Sequence, residues 1–257
     1  MCSGCGHQAS VTAGTIFDRS HLPLRVWFRG IWWATNQKHG VSALGLQRLL
    51  GLGSYETAWA CQQKLRRAMV RPGRDRLTGE VEVDETYVGG LERGGGRRHL
   101  GNKALVAVAA QLDGKRIGRI RLRRIPDASS RSLVSFVKEA VEPGSRVITD
   151  GWEAYDGLKA EGYKHKPRVI SGSGKTAFTL LPRVHRVASL LKRWLLGTHQ
   201  GAVSRVHLDY YLDEFTFRFN RRTSRYRGKL FYRLLEQAIT VEPAPYAKLV
   251  GGRGHKI

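Results

Sequence analysis

Glu80-Val81-Glu82-Val83-Asp84-Glu85-Thr86-Tyr87-Val88 decides how the rest of the chain is read. Val81, Val83 and Glu85 fall on one alternation, and Glu80, Glu82, Asp84 and Thr86 on the other. A strand alternates faces with a period of two, so the stretch is predicted to be a strand with three carboxylates along one face. Acidic residues are poor strand formers, and like charges stacked on a face repel. Two readings accommodate that cost: a solvated edge strand, or a divalent cation held against the acidic face. The second is favoured because the rest of the chain is strongly basic. A further apolar run ending in aspartate, Arg146-Val147-Ile148-Thr149-Asp150, can also meet the first.

With 257 residues, 41% of them hydrophobic, the chain can build one large domain or two small ones around a real core. It carries 44 Lys and Arg against 21 Asp and Glu, a net charge of +23, with an isoelectric point near 10.6. Such an imbalance in a folded protein points to a polyanion, most often nucleic acid. No run approaches the roughly 18 to 20 apolar residues of a membrane span, and the N-terminus shows no signal-peptide pattern. Three cysteines, Cys2, Cys5 and Cys61, make no disulfide framework. A reducing, cytoplasmic setting, nucleoid-associated, is therefore expected.

Cys2-Ser3-Gly4-Cys5-Gly6-His7 is a C-x-x-C knuckle, half of what a structural zinc requires. The expectation is a partial zinc-ribbon remnant over residues 1–19. Its other half would lie upstream of Met1, and zinc would bind only if that half were supplied. Cys61 sits in a helical pattern and reads as a buried apolar residue.

Residues 20–70 are predicted to be a helical DNA-binding region. Ser20 to Gln37 has helical spacing, and Trp27, Phe28, Trp32 and Trp33 are read as core rather than as a base-stacking platform. A short helix over Ser42–Gly51 and another over Tyr55–Met69, capped by Ser54 and joined through Gly51-Leu52-Gly53, resemble a helix-turn-helix. A plain helical hairpin is the alternative. The basic end Lys64-Leu65-Arg66-Arg67 is read as a solvated end suited to the helix dipole or as a DNA contact. Arg71 to Thr78 reads as a linker.

After the acidic strand, Gly89 to Arg98 reads as a flexible basic loop matching no phosphate-binding fingerprint. Ala104–Leu112 suits a buried strand. Ile117–Ile125 is a third strand, with Arg119, Arg121 and Arg123 outward, reached through the tight turn Asp113-Gly114. A helix from Ser129 or Ser130 to Val141, the strand Arg146–Asp150, a helix near Trp152–Glu161 and a strand at Pro167–Ile170 follow. Helices over Val187–Leu196, His207–Asn220 and Lys229–Val241 close the chain. The order βββαβαβ followed by helices is an α/β layout with a mixed sheet. The catalytic domain is expected over 79–240, with a tail over 241–257.

Two aspartates on neighbouring central strands make a ready site for two hard cations, which can hold the attacking and leaving oxygens of a phosphodiester. His185, 35 positions after Asp150 and near a helix start, reads as a structural histidine or as a third ligand. Glu82 shares the predicted face of Asp84 and reads as its supporting shell, while Glu85 faces away. Asp213 and Glu214 precede Arg218, Arg221 and Arg222 at helical spacing and read as ion-paired helix residues. Arg97, Arg98, Lys175, Lys192 and Arg193 are the candidate DNA-backbone contacts.

Four stretches taken together resemble a known family. They are Val83-Asp84-Glu85-Thr86-Tyr87-Val88-Gly89-Gly90; Thr149-Asp150-Gly151 with Tyr155; Ser189-Leu190-Leu191-Lys192-Arg193; and Tyr211-Leu212-Asp213-Glu214-Phe215 with Arg218, Phe219, Asn220, Arg221 and Arg222. The pattern is similar to bacterial insertion-sequence transposases of the IS-fifteen-ninety-five group (ISXO-like), in the DDE superfamily. The resemblance implies a ribonuclease-H-like α/β core behind a zinc ribbon and a helical region. It implies an Asp84, Asp150, His185 triad, in the family position taken by Asn, Glu or His, binding two Mg²⁺ or Mn²⁺ ions. The reaction implied is hydrolysis at the element's ends followed by strand transfer into target DNA, by a homodimer that pairs two ends. The alternatives are a nuclease that cuts without joining, and an impaired or domesticated transposase that only binds DNA.

Overall fold

A computed structural model of the chain describes residues 3–6, 8, 10–71, 73–89, 103–169, 176–201 and 203–251. Cys2, Arg97, Arg98 and Lys175, singled out above, lie outside the described residues. In chain order the elements are α1 (Leu24–Asn36), α2 (Ala43–Leu50), α3 (Tyr55–Ala68), β1 (Glu80–Val88), β2 (Ala104–Asp113), β3 (Arg116–Ile125), α4 (Ser130–Ala140), β4 (Arg146–Thr149), a 3₁₀ helix (Glu153–Leu158), β5 (Lys164–Pro167), α5 (Ala177–Leu180), α6 (Pro182–His199), α7 (Leu208–Asn220), α8 (Arg227–Thr240) and α9 (Tyr246–Val250). Contacts divide them into two units, Gly73–Asn220 and the discontinuous pair Met1–Pro72 with Arg221–Ile257.

Within Gly73–Asn220 the described strands form a five-stranded mixed sheet in the order β3-β2-β1-β4-β5. β1 runs antiparallel to β2 and parallel to β4. The acidic strand is therefore central, not an edge. β2 is apolar from Ala104 to Ala110 because both of its faces are covered there, and all seven of those residues are buried. One face of the sheet packs Val106, Val108, Ile120 and Ile148 against Val184, Leu191, Leu212 and Phe215 of α6 and α7. The other packs Val81, Val83, Ala107 and Val147 against Leu133, Phe136 and Val137 of α4 and Tyr155 of the 3₁₀ helix. This three-layer arrangement is the expected ribonuclease-H-like α/β class.

Several boundaries and exposures differ from the sequence reading, each for a physical reason. Arg121 is buried rather than outward: its guanidinium donates to the carbonyls of Ile120 and Asp75. Arg123 reaches Glu139 on α4. Of the three arginines on this face of β3 only Arg121 is buried; Arg119 and Arg123 stay partly exposed. Leu77 is fully buried and bridges to Val141, so the expected linker already belongs to the second unit. β5 ends at Pro167 instead of beginning there; its last pair is Thr149 with Pro167, which has no N–H to extend the ladder. Asn220 closes the unit. Its side chain accepts from Ile120 N at 2.7 Å and donates to Ile120 O at 3.1 Å, occupying the free edge of β3.

The other unit is a helical bundle. Ser54 caps α3 as predicted; Ser42, expected as the first residue of its helix, is instead the cap of α2, and Gly51, at φ +67°, turns the chain between them. Trp27, Ile31, Leu46, Cys61, Leu65 and Leu234 are buried in it. Burial pushes the Cys61 thiol up to about 12, as an apolar role requires. α8 and α9, which the sequence reading gave to the catalytic domain and the tail, pack here. Ile16 N donates to Ala238 O at 3.3 Å, and Trp59 meets Tyr246 at 6.3 Å. The basic end of α3 is only partly solvated: Arg66 is fully buried and donates to Gln63, while Arg67, half-buried, donates to Glu242 O. The expected aromatic core is also divided. Trp27 is buried, but Phe28 is 38% and Trp32 47% exposed.

Candidate active site

The site is assembled beside the middle of β1, where β4 ends, by three elements. The parallel register of β1 with β4 ends at Glu82 opposite Ile148. Asp84 and Asp150 each lie two residues beyond that pair, so a period of two returns both to the face that Glu82 and Ile148 share. Gly151 follows at φ +88°, with Val169 3.0 Å from where a Cβ would be, and turns the chain sharply after Asp150. Trp152 N then donates to Asp150 Oδ1 at 3.1 Å.

α6 covers this face, and its start is fixed by Glu82. Its N-cap residue, Leu181, supplies no side-chain acceptor. Instead Glu82, fully buried, accepts from Arg183 N at 2.7 Å, from Val184 N at 3.1 Å and from the Arg183 guanidinium at 3.1 Å. A carboxylate from a neighbouring strand thus does the work of an N-cap, where unpaired N–H groups and the helix dipole favour negative charge. One residue further along, His185 Nε2 comes to 3.6 Å from Asp84 Oδ2. α6 begins at Pro182, so His185 lies inside its first turns and not beside it. Phe178 of α5 stacks on the imidazole at 5.6 Å.

The electrostatics are those of a site short of positive charge. Asp84, whose side chain is 15% exposed, has its carboxyl pushed up to about 7, first by burial and then by the charges of Glu85 and Asp150. Glu85 is raised by burial, and the charge of Asp150 adds to this. The same aspartate acts on His185, whose pKa is nevertheless lowered, chiefly by burial. His185 Nε2 is buried and has no hydrogen-bond partner.

A family model described as the ISXO2-like transposase domain matches residues 76–220, more than half of the chain and nearly all of the sheet-bearing unit. The chain belongs to this transposase family. It is also 27% identical over 235 residues to a protein from Halobacterium salinarum described as an uncharacterized protein in transposable element ISH50, covering 85% of this chain and 77% of that one. Among solved structures it is similar to the catalytic core domain of BIV integrase, at a TM-score of 0.34 and 15% identity over 53% of this chain and 81% of that one. It is likewise similar to a chain of the simian T-cell lymphotropic virus intasome in complex with PP2A regulatory subunit B56 gamma, at a TM-score of 0.41 and 15% identity over 72% and 70%.

In this transposase domain Asp84, Asp150 and His185 are brought into one electrostatic neighbourhood. Among the described residues no group of three or more His, Cys, Asp or Glu side chains is placed to hold a metal ion. The donor chemistry nonetheless fits a hard cation: the Asp84 carboxyl, raised by burial and by neighbouring acids, the acid of Asp150 acting on it, and His185 Nε2, buried without a hydrogen-bond partner. Glu82 is withdrawn from that set by its three donors, and Glu80 by Arg146. Glu85 keeps to the opposite face, where Tyr155 OH donates to it at 2.9 Å.

Of the candidate DNA contacts, Lys192 and Arg193 are exposed on α6. Lys192 also acts electrostatically on His185. Cys5 is exposed and free. Glu214 pairs with Arg218 at 2.7 Å, as the helical spacing indicates. The sequence reading missed Arg183, the partner of Glu82, and gave Tyr155 no role. Arg183 follows Pro182 at a helix start, where an unsatisfied first turn calls for an acceptor; that was the available signal.

Proposed function

We propose that this transposase cuts DNA at the ends of an insertion element and joins the freed ends to target DNA, with Asp84, Asp150 and His185 as the reacting centre. What supports the reading is His185 Nε2 lying 3.6 Å from Asp84 Oδ2 and the charge of Asp150 acting on both, with burial and like charge raising the Asp84 carboxyl to about 7. Divalent magnesium or manganese, when bound, supplies charge neutralisation and activation of the attacking oxygen.

The remaining work belongs to the chain. Asp84, on β1, and Asp150, just past the end of β4, would hold the ion through their carboxylate oxygens. His185 is kept neutral by burial, so its Nε2 is available as a ligand. Glu82 and Arg183 fix the imidazole relative to Asp84. Lys192 and Arg193 meet backbone phosphates, and each phosphate neutralised steepens the salt dependence of binding. In the first stage water attacks the phosphodiester at the element's end and leaves a 3′-hydroxyl. In the second that hydroxyl attacks a target phosphodiester, forming one bond as another breaks. The domain contributes positioning and charge rather than a covalent intermediate. Two ends must be paired, so the working form is a homodimer on DNA, in the cytoplasm. Among the described residues no helix is long and apolar enough to cross a membrane.

Labelled element ends incubated with Mg²⁺ test the proposal. Wild type yields nicked and then joined products, and Asp84→Asn and Asp150→Asn each yield neither while still binding the DNA. Cleavage retained by both variants removes the assignment. Nicks without joined products from wild type reassign the domain to a nuclease.

A further inference from the structure

The helical unit carries a surface that the reaction does not use. α1 presents Arg25, Phe28, Arg29 and Trp32 at helical spacing, and all four are exposed. α8 places Phe231 beside them, with ring centres 6.4 Å from Phe28 and 6.3 Å from Trp32. Tyr232 adjoins at 6.2 Å and is 67% exposed. The rings meet at interplanar angles of 80°, 61° and 87°, edge to face rather than in a closed stack. Aromatic rings normally dominate cores, so four of them gathered with three open to water mark a contact surface.

Charge identifies what would cover it. Met1–Pro72 and Arg221–Ile257 together hold 18 Lys and Arg but only 4 Asp and Glu, so this smaller unit carries +14 of the chain's net +23. α1 has no acidic residue, and the one acid of α8, Glu236, is engaged by Arg233 at 3.4 Å. Nearby, burial and the like charges of Arg233 and Arg71 hold the Arg221 guanidinium down to about 10. A second copy of the chain would bring the same excess of cations against this face. Duplex DNA would satisfy the cations but leave the rings idle, since its base faces are already stacked. A ligand with both phosphates and open base faces uses everything present.

We propose that the Phe28, Trp32, Phe231 and Tyr232 surface of α1 and α8, rimmed by Arg25 and Arg29, binds single-stranded DNA by stacking its bases. This rests on the reading that the chain acts on DNA, and adds that unpaired strand is one of the forms it holds. Fluorescence anisotropy with the full chain in EDTA, using short oligo-dT and a duplex of equal length, tests it without any cleavage. Stacking contributes about 1–3 kcal/mol per base, so Trp32→Ala is expected to weaken oligo-dT binding by about 5- to 140-fold. Duplex affinity should change less than about twofold. Trp32→Phe should retain most of the oligo-dT affinity, and Tyr232→Ala, at a more exposed position, provides a second variant if Trp32→Ala does not fold.

Equal losses for both DNA forms, or no loss for oligo-dT, overturn the proposal. So does a Trp32→Ala effect confined to self-association in sedimentation, or one seen only on anionic vesicles. Those outcomes leave the transposase reading intact if wild type still binds duplex. Wild type that binds neither DNA form would remove both.

Discussion

Asp84 is an acid placed where its charge is costly. Its ordinary value is 3.8, and burial, Glu85 and Asp150 raise it to about 7. Protonation therefore stabilises the metal-free fold: the contribution is fully present below about pH 4 and is lost as the pH climbs to about 7. A tenfold change in proton affinity is worth about 1.4 kcal/mol, so the penalty at pH 8 is on the order of a few kcal/mol. Asp84→Asn removes the titration. Thermal melts in EDTA should show the variant more stable than wild type at pH 8, with the difference fading towards pH 4.5. A constant difference across that range would mean that Asp84 is not buried among like charges. Saturating Mg²⁺ at pH 8 should raise the melting temperature of wild type more than that of the variant.

At the scale of elements, the central contact is between β1 and the start of α6. Removing Glu82 leaves two helix N–H groups and the Arg183 guanidinium without their acceptor. Breaking a buried charged contact of this kind costs about 3–5 kcal/mol. Glu82→Ala should lose about that much in urea unfolding, and Glu82→Gln distinctly less because an amide oxygen can still accept. A loss under about 1 kcal/mol for Glu82→Ala would show that α6 is positioned by its apolar face alone. The period-two alternation was enough to read β1, its acidic face and the meeting with β4, because strand geometry assigns faces from sequence parity. It could not tell Glu82 from Asp84. Both sit on the same face, and only the approach of α6 converts one into a helix cap and sets the other beside His185. Arg121 misled for a related reason: alternation marks a face as polar, but the carbonyl of Asp75 that receives Arg121 is distant in sequence.

For the whole molecule, the two units divide both chain and charge. The family match ends at Asn220, where the sheet-bearing unit also ends, and α8 returns to the helices of the N-terminal part. An amphipathic stripe such as that of α8 states that a partner exists without naming it, so this closure was not legible in the sequence. The exposure of Phe28 and Trp32 was hidden in the same way, since helical spacing alone does not say which side of α1 is inward. The sheet-bearing unit keeps 17 of the 21 acids, including the pair on which the proposed chemistry depends. That dependence is tested most directly by Mn²⁺ binding to the full-length chain, followed by electron paramagnetic resonance at pH 7.5. Wild type should take up Mn²⁺ at a site that Asp84→Asn and Asp150→Asn each abolish or weaken severely, with Asp213→Asn unaffected. Undiminished Mn²⁺ uptake by both of the first two variants would contradict a shared cation between Asp84 and Asp150.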